Sequence, residues 1–116
     1  MLILAKKTKV YLYSKSVDMR KQLDGLLGII HSHIPGGVKE RTIFLFYNNN
    51  RDKIKGIIWD NNGFIMIYKR LEKGRFHLKN ILSDLELTID QFKWLIAGFD
   101  FIGMYEHQKL DYDEYL

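Results

Sequence analysis

The chain has 116 residues, 47% hydrophobic and 28% charged, enough for one domain with a modest core and too apolar for a disordered chain. It has no cysteine, which excludes disulfides, thiolate metal sites and a cysteine nucleophile. The net charge of +4 is uneven: from residue 100 onward Asp100, Glu106, Asp111, Asp113 and Glu114 face Lys109 alone, so the body is more basic than the total. A basic body with an acidic tail points to a polyanionic partner for the body.

The opening "MLILAKKTKVYLY" has too short an apolar run for a secretory signal, and its charges follow that run. No stretch approaches the ~18 apolar residues of a membrane span. The expected setting is therefore soluble and cytoplasmic, with no membrane partner. Val10 to Tyr13, with Leu2 to Leu4 before it, reads as short strand. In "SVDMRKQLDGLLGIIHSHIPGG", Met19, Leu23, Leu26, Leu27, Ile30 and Ile34 recur at helical spacing. Asp18 is the expected N-cap and Pro35 to Gly37 the stop. Gly25 and Gly28 each lower helix propensity by about 1 kcal/mol relative to Ala. Their spacing on one face leads to the expectation of a strand packed against them.

A β-meander follows. "TIFLFY" (Thr42 to Tyr47), the turn cluster "NNNRD", "KIKGIIWD" (Lys53 to Asp60), the tight turn at Asn61 to Gly63 and "FIMIYKRL" (Phe64 to Leu71) alternate strand with turn. "RFHL" (Arg75 to Leu78) is expected to add a short further strand. A second helix is announced by "LTIDQFKWLIAGFD", where Thr88 and Gln91 fit a capping box and Ile89, Phe92, Leu95, Ile96 and Phe99 form the apolar stripe. The expected fold is α+β: an antiparallel meander of about four to six strands packed with two helices. It occupies a single domain over residues 1–101, with an acidic, frayed tail over 102–116.

Catalytic signatures are weak. The carboxylates Asp18, Asp24, Asp60, Glu72, Asp84 and Asp90 are scattered, and most have local capping or turn roles. His31 and His33 point apart on a helix, so they cannot share a metal there. No nucleotide-binding loop is present, and neither a metal nor another cofactor is called for. The turn after the meander is different: Lys69, Arg70, Lys73, Arg75 and Lys79 face only Glu72, with Tyr68, Phe76 and His77 among them. Cations on a β-ribbon can follow a phosphate chain. Arg51, Lys53 and Lys55 are placed to extend that surface. The competing expectation is a solvated hairpin whose ion pairs contribute under about 1 kcal/mol each.

At these residues the chain resembles the TnpB accessory proteins of insertion-sequence family sixty-six, encoded by the element's second open reading frame. The likeness is collinear over about residues 9–101. It rests on Asp18, Met19, Arg20, Lys21, Asp24 and Gly25, and on Trp59, Asp60, Gly63, Lys69, Arg70, Leu71, Glu72, Gly74, Arg75 and Phe76. The resemblance implies a non-enzymatic accessory protein in transposition of a bacterial insertion sequence, distinct from the large transposase. DNA is then the expected partner of Lys69, Arg70, Lys73 and Arg75, with support from Arg20 and Lys21 at the start of the first helix. Trp59, Phe64 and Phe76 are expected in the core. The rival expectation is a module that docks on the element-encoded transposase or a sister accessory protein without touching DNA.

Overall fold

A computed structural model describes residues 7–102. In chain order these form β1 (Lys9–Leu12), α1 (Leu23–His33), β2 (Thr42–Tyr47), β3 (Lys53–Asp60), β4 (Gly63–Arg70), β5 (Leu85–Leu87) and α2 (Ile89–Ile96). The strands make one mixed sheet in the order β4-β3-β2-β1-β5, so the domain is α+β with mostly antiparallel pairing. The expected meander is β2-β3-β4. Its second hairpin pairs Asp60 with Gly63, and Asn61 takes a φ of +57° in the turn, a conformation Asn tolerates better than most residues.

One step departs from an antiparallel meander. β1 and β2 are parallel, Val10 beside Ile43 and Leu12 beside Leu45, because α1 intervenes and carries the chain back to the same end of the sheet. β2 is buried at every position, as befits a central strand with no polar alternation and both faces covered. On one face Phe44, Phe46 and Ile57 pack with Leu26 and Ile30 of α1. On the other, Ile43, Leu45, Ile54 and Ile58 pack with Phe92 and Leu95 of α2 and with Phe76 and Leu78. Phe76 is thus core, as expected. Trp59 and Phe64 are half-buried and pack edge to face, with ring centroids 5.0 Å apart.

Four local expectations are corrected. Residues 75–78 are not a strand; Phe76 and Leu78 plug the core from a loop, and the fifth strand is β5, antiparallel to β1. Asp18 does not cap α1. Its carboxylate accepts Arg20 N–H at 2.9 Å, its carbonyl accepts Lys21 N–H at 3.0 Å, and the helix begins only after Gln22. Asp prefers this two-residue reach to its own backbone, and so Arg20 and Lys21 lie in a turn before the helix. No strand packs on Gly25 or Gly28: a Cβ on Gly28 would meet nothing within 4 Å. The close approach is at Gly56 of β3, where a Cβ would lie 2.8 Å from Ile67 and 3.1 Å from Leu45. The capping box of α2 forms as expected, with Thr88 Oγ1 accepting Gln91 N–H at 3.1 Å and Gln91 Oε1 accepting Thr88 N–H at 2.9 Å. The Leu2 to Leu4 strand and most of the acidic tail lie outside the described residues.

Candidate nucleic-acid interface

The basic turn is tied into the fold. After β4, Leu71 N–H donates to Asp52 O at 2.8 Å, and Phe76 N–H donates to Arg51 O at 2.7 Å. Between these two bonds the chain loops outward, and Gly74 takes a φ of +77° that favours glycine. The receiving turn is itself rigid. Asn48 Oδ1 accepts from Asp52 N–H at 3.1 Å and Lys53 N–H at 3.0 Å, while its Nδ2 donates to Asp52 Oδ1 at 2.6 Å. Arg75 donates to Asn50 Oδ1 at 3.2 Å, adding a side-chain link. Loops 48–52 and 71–76 therefore form one unit at one end of the sheet.

The predicted cations do not share a single surface. Lys69 and Arg70 are consecutive on β4 and so project from opposite faces. Lys69 Nζ donates to Ile96 O at 2.6 Å, where an ammonium suits the carbonyl end of α2. Arg70 projects on the α1 side and pairs with Glu72 at 3.0 Å, which holds its guanidinium above the usual arginine range. Lys73 has no hydrogen bond or ion pair among the described residues. Arg20 forks onto Asp18, its Nη2 2.6 Å from Oδ2. Hydrogen bonds from the Arg20 side chain and backbone draw the Asp18 carboxyl down to about 2. The Lys21 ammonium makes no hydrogen bond or close ion pair among the described residues, though its charge helps to lower the Asp18 carboxyl.

Arg20 nevertheless comes close to the basic loops. A groove of about 550 Å³ is lined by Val17, Asp18, Met19 and Arg20 on one side and by Asn48, Asn49, Asn50, Lys53 and Tyr68 on the other. Lys53 stands opposite Arg70 in the β3–β4 register, and Asn50 holds Arg75. Arg20 and Lys53 thus line one groove, Arg70 and Arg75 adjoin residues of its wall, and Lys69 lies on the other face.

Lys55 does not extend the positive surface. It is 7% exposed, and its Nζ donates to Met19 O at 2.7 Å and Lys21 O at 2.9 Å. A buried ammonium needs acceptors, and the turn at 18–21 supplies two. Lys55 also lies 5.7 Å from the centroid of the Tyr68 ring. Tyr68, which the sequence sets among the basic residues without a role of its own, is 52% exposed, as open as any described Phe, Tyr or Trp except Phe99. The signal was available, since on an edge strand Tyr68 alternates with core-facing Ile67 and falls opposite Lys55.

Other ionisable groups have structural roles. Tyr11 Oη donates to Asp84 Oδ2 at 2.7 Å, and Asp84 Oδ1 accepts Ser14 N–H at 2.8 Å, tying the 79–84 segment to β1. Burial and the Asp84 carboxylate push the Tyr11 hydroxyl up to about 12. Burial opposes ionisation of Asp84, but the hydrogen bonds from Tyr11 and Ser14 outweigh it and hold the carboxyl below its usual range. Asp60 lines a shallow cleft of about 330 Å³ with Glu40, Arg41 and Trp59. Among the described residues no three of His, Asp and Glu gather with metal-binding geometry. His33 stacks on Tyr13, ring centroids 6.4 Å apart. No helix among the described residues is long and apolar enough to cross a membrane.

The comparisons with known proteins bear on this geometry. The sequence model of the IS66 Orf2-like proteins matches residues 8–105, which includes both sides of the groove. An uncharacterized protein of Sinorhizobium fredii, y4jC, is 28% identical over 93 residues, covering 79% of this chain and 80% of its own length. No solved structure matches.

Proposed function

The chain belongs to the IS66 Orf2-like family, a transposition-associated family, and from that premise we propose that it is a non-enzymatic accessory protein that binds DNA through the basic end of its sheet. The supporting observation is the joined pair of loops 48–52 and 71–76, which fixes Arg51, Lys53, Arg70, Lys73 and Arg75 on a rigid frame. Lys73 and Lys21 are the readiest phosphate ligands. Arg70 and Arg20 join them because exposed ion pairs contribute little: the Arg70 and Glu72 side chains are 56% and 80% exposed. A guanidinium also carries five N–H donors, so an arginine held by one carboxylate keeps donors for a phosphate. Lys69, held at the end of α2, is a peripheral contact.

About five phosphate contacts give a log–log salt slope of about −4, a loss of a hundredfold or more between roughly 50 and 200 mM salt. A salt titration of binding to element-end DNA and to a scrambled duplex tests this. A slope near zero, or affinity unchanged in the Lys69, Arg70, Lys73 and Arg75→Ala variant, would refute it. The exposed Phe99 and Ile102 beyond α2 favour a second reading, docking on the transposase through an apolar contact. That reading predicts a salt-tolerant complex recovered from purified transposase with no DNA present.

A further inference from the structure

We propose that the groove between the 17–20 turn and the β2–β3 turn seats an unpaired base of single-stranded DNA against Tyr68, with its flanking phosphates on Arg20, Lys53 and Arg70. This rests on the DNA-binding reading and narrows it to a class of DNA. Tyr68 projects on the face that α1 covers, where Phe44, Phe46 and Ile57 are buried, yet it is 52% exposed because it stands on the edge strand. It is therefore not consumed by the core.

The ring is held in advance of any ligand. Lys55 Nζ lies 5.7 Å from its centroid, and that ammonium is itself fixed by Met19 O and Lys21 O. A cation at this distance is attracted to an aromatic ring, and an aromatic already fixed loses little entropy when a base stacks on it. The groove of about 550 Å³ falls in the size range of small-ligand sites. Its far wall carries the Asn49 amide, which offers donor and acceptor to a base edge, while the Asn50 amide is engaged by Arg75 and Asp52. The Asn48 amide is spent on Asp52 and Lys53. The Arg20 side chain is 92% exposed at the rim, and Arg70 lies opposite Lys53. Asp18, Glu72 and Asp52 each pair with one of these three cations, and the two guanidiniums keep further N–H donors for the phosphates on either side of a seated base.

A duplex keeps its base faces stacked and cannot offer one to Tyr68, whereas a single strand, a hairpin loop or a frayed end can. An acidic peptide matches the rim but has no planar group for the ring.

The test is equilibrium binding by anisotropy of the full chain to an oligo-dT strand, a duplex of the same length and an abasic strand. The expected result is tighter binding of oligo-dT than of duplex at equal salt. The abasic strand should bind the wild-type protein about tenfold or more weakly than oligo-dT, the scale of one lost base–aromatic stack. Tyr68→Leu should lose the same factor on oligo-dT and nothing on duplex, while Tyr68→Phe keeps wild-type affinity. Equal binding of abasic and oligo-dT strands overturns the seating of a base and leaves DNA binding standing. So does an equal loss on strand and duplex, or competition by polyglutamate as effective as by oligo-dT. Binding to none of the three DNAs overturns both readings. The abasic comparison uses the unaltered protein, so the test holds even where Tyr68→Leu fails to fold.

Discussion

Lys55 and Lys73 are two lysines of the same basic region with opposite fates. Lys55 is buried on a central strand, its ammonium bound to two carbonyls of the 18–21 turn. Lys73 is exposed at the tip of a loop whose ends are pinned by Leu71 and Phe76. The first spends its charge inside the molecule, where it holds the "DMR" turn in place. The second spends none and remains available to an anion. Lys69 lies between them, exposed but bonded to the end of α2. Counting cations along a sequence therefore overstates the surface that a ligand meets.

The sharpest way to break this contrast is Lys55→Met, which keeps volume and leaves the Met19 and Lys21 carbonyls without their donor. It is expected to cost about 2 kcal/mol in urea unfolding. Stability within about 0.5 kcal/mol of wild type would show that Lys55 is not a clamp. The matching change at the surface is Lys73→Ala with Arg75→Ala. Here unfolding should move by no more than about 0.5 kcal/mol, while DNA affinity falls by roughly tenfold and the salt slope shrinks by about 2.

Lys69→Met tests the intermediate case. Loss of its bond to Ile96 O should cost about 0.5–1 kcal/mol and show as faster amide exchange near the end of α2, with a smaller effect on DNA binding than the Lys73 and Arg75 pair. A larger binding loss than for that pair would move the interface to the α2 face.

A control on the contrast is Tyr11, an anchor outside both regions. Its hydroxyl is raised to about 12 by burial and by its hydrogen bond to Asp84. A raised value means that the protonated form favours the fold. The contribution is complete below the ordinary tyrosine value of about 10 and fades as pH rises from there toward 12. Tyr11→Phe should remove that alkaline decline in melting temperature and cost about 1 kcal/mol at neutral pH.

Much of this was legible in the residues. Alternating apolar runs and Asn-rich turns set the β2-β3-β4 meander, the Thr88–Gln91 pair set the start of α2, and the two motif blocks pointed to the family. These signals are local, carried by the repeat of strand and helix and by caps that reach only a few residues. The start of α1 and the loop at 75–78 were not legible, because Asp18 can serve a turn as well as a helix, and because Phe76 reads as strand when only its distant partners make it a plug.

By itself, then, the sequence determined the α+β class, the meander, the second helix and the excess of positive charge. The tertiary structure alone decided that β1 lies parallel to β2, that Lys55 is inside and that Arg20 meets Lys53 and Tyr68 across one groove. The reason is physical: such contacts join residues more than thirty positions apart, as in the Lys55 bond to Met19 O with a separation of 36. A short sequence window records the chemistry each side chain brings, but only packing of the sheet decides which partner it meets.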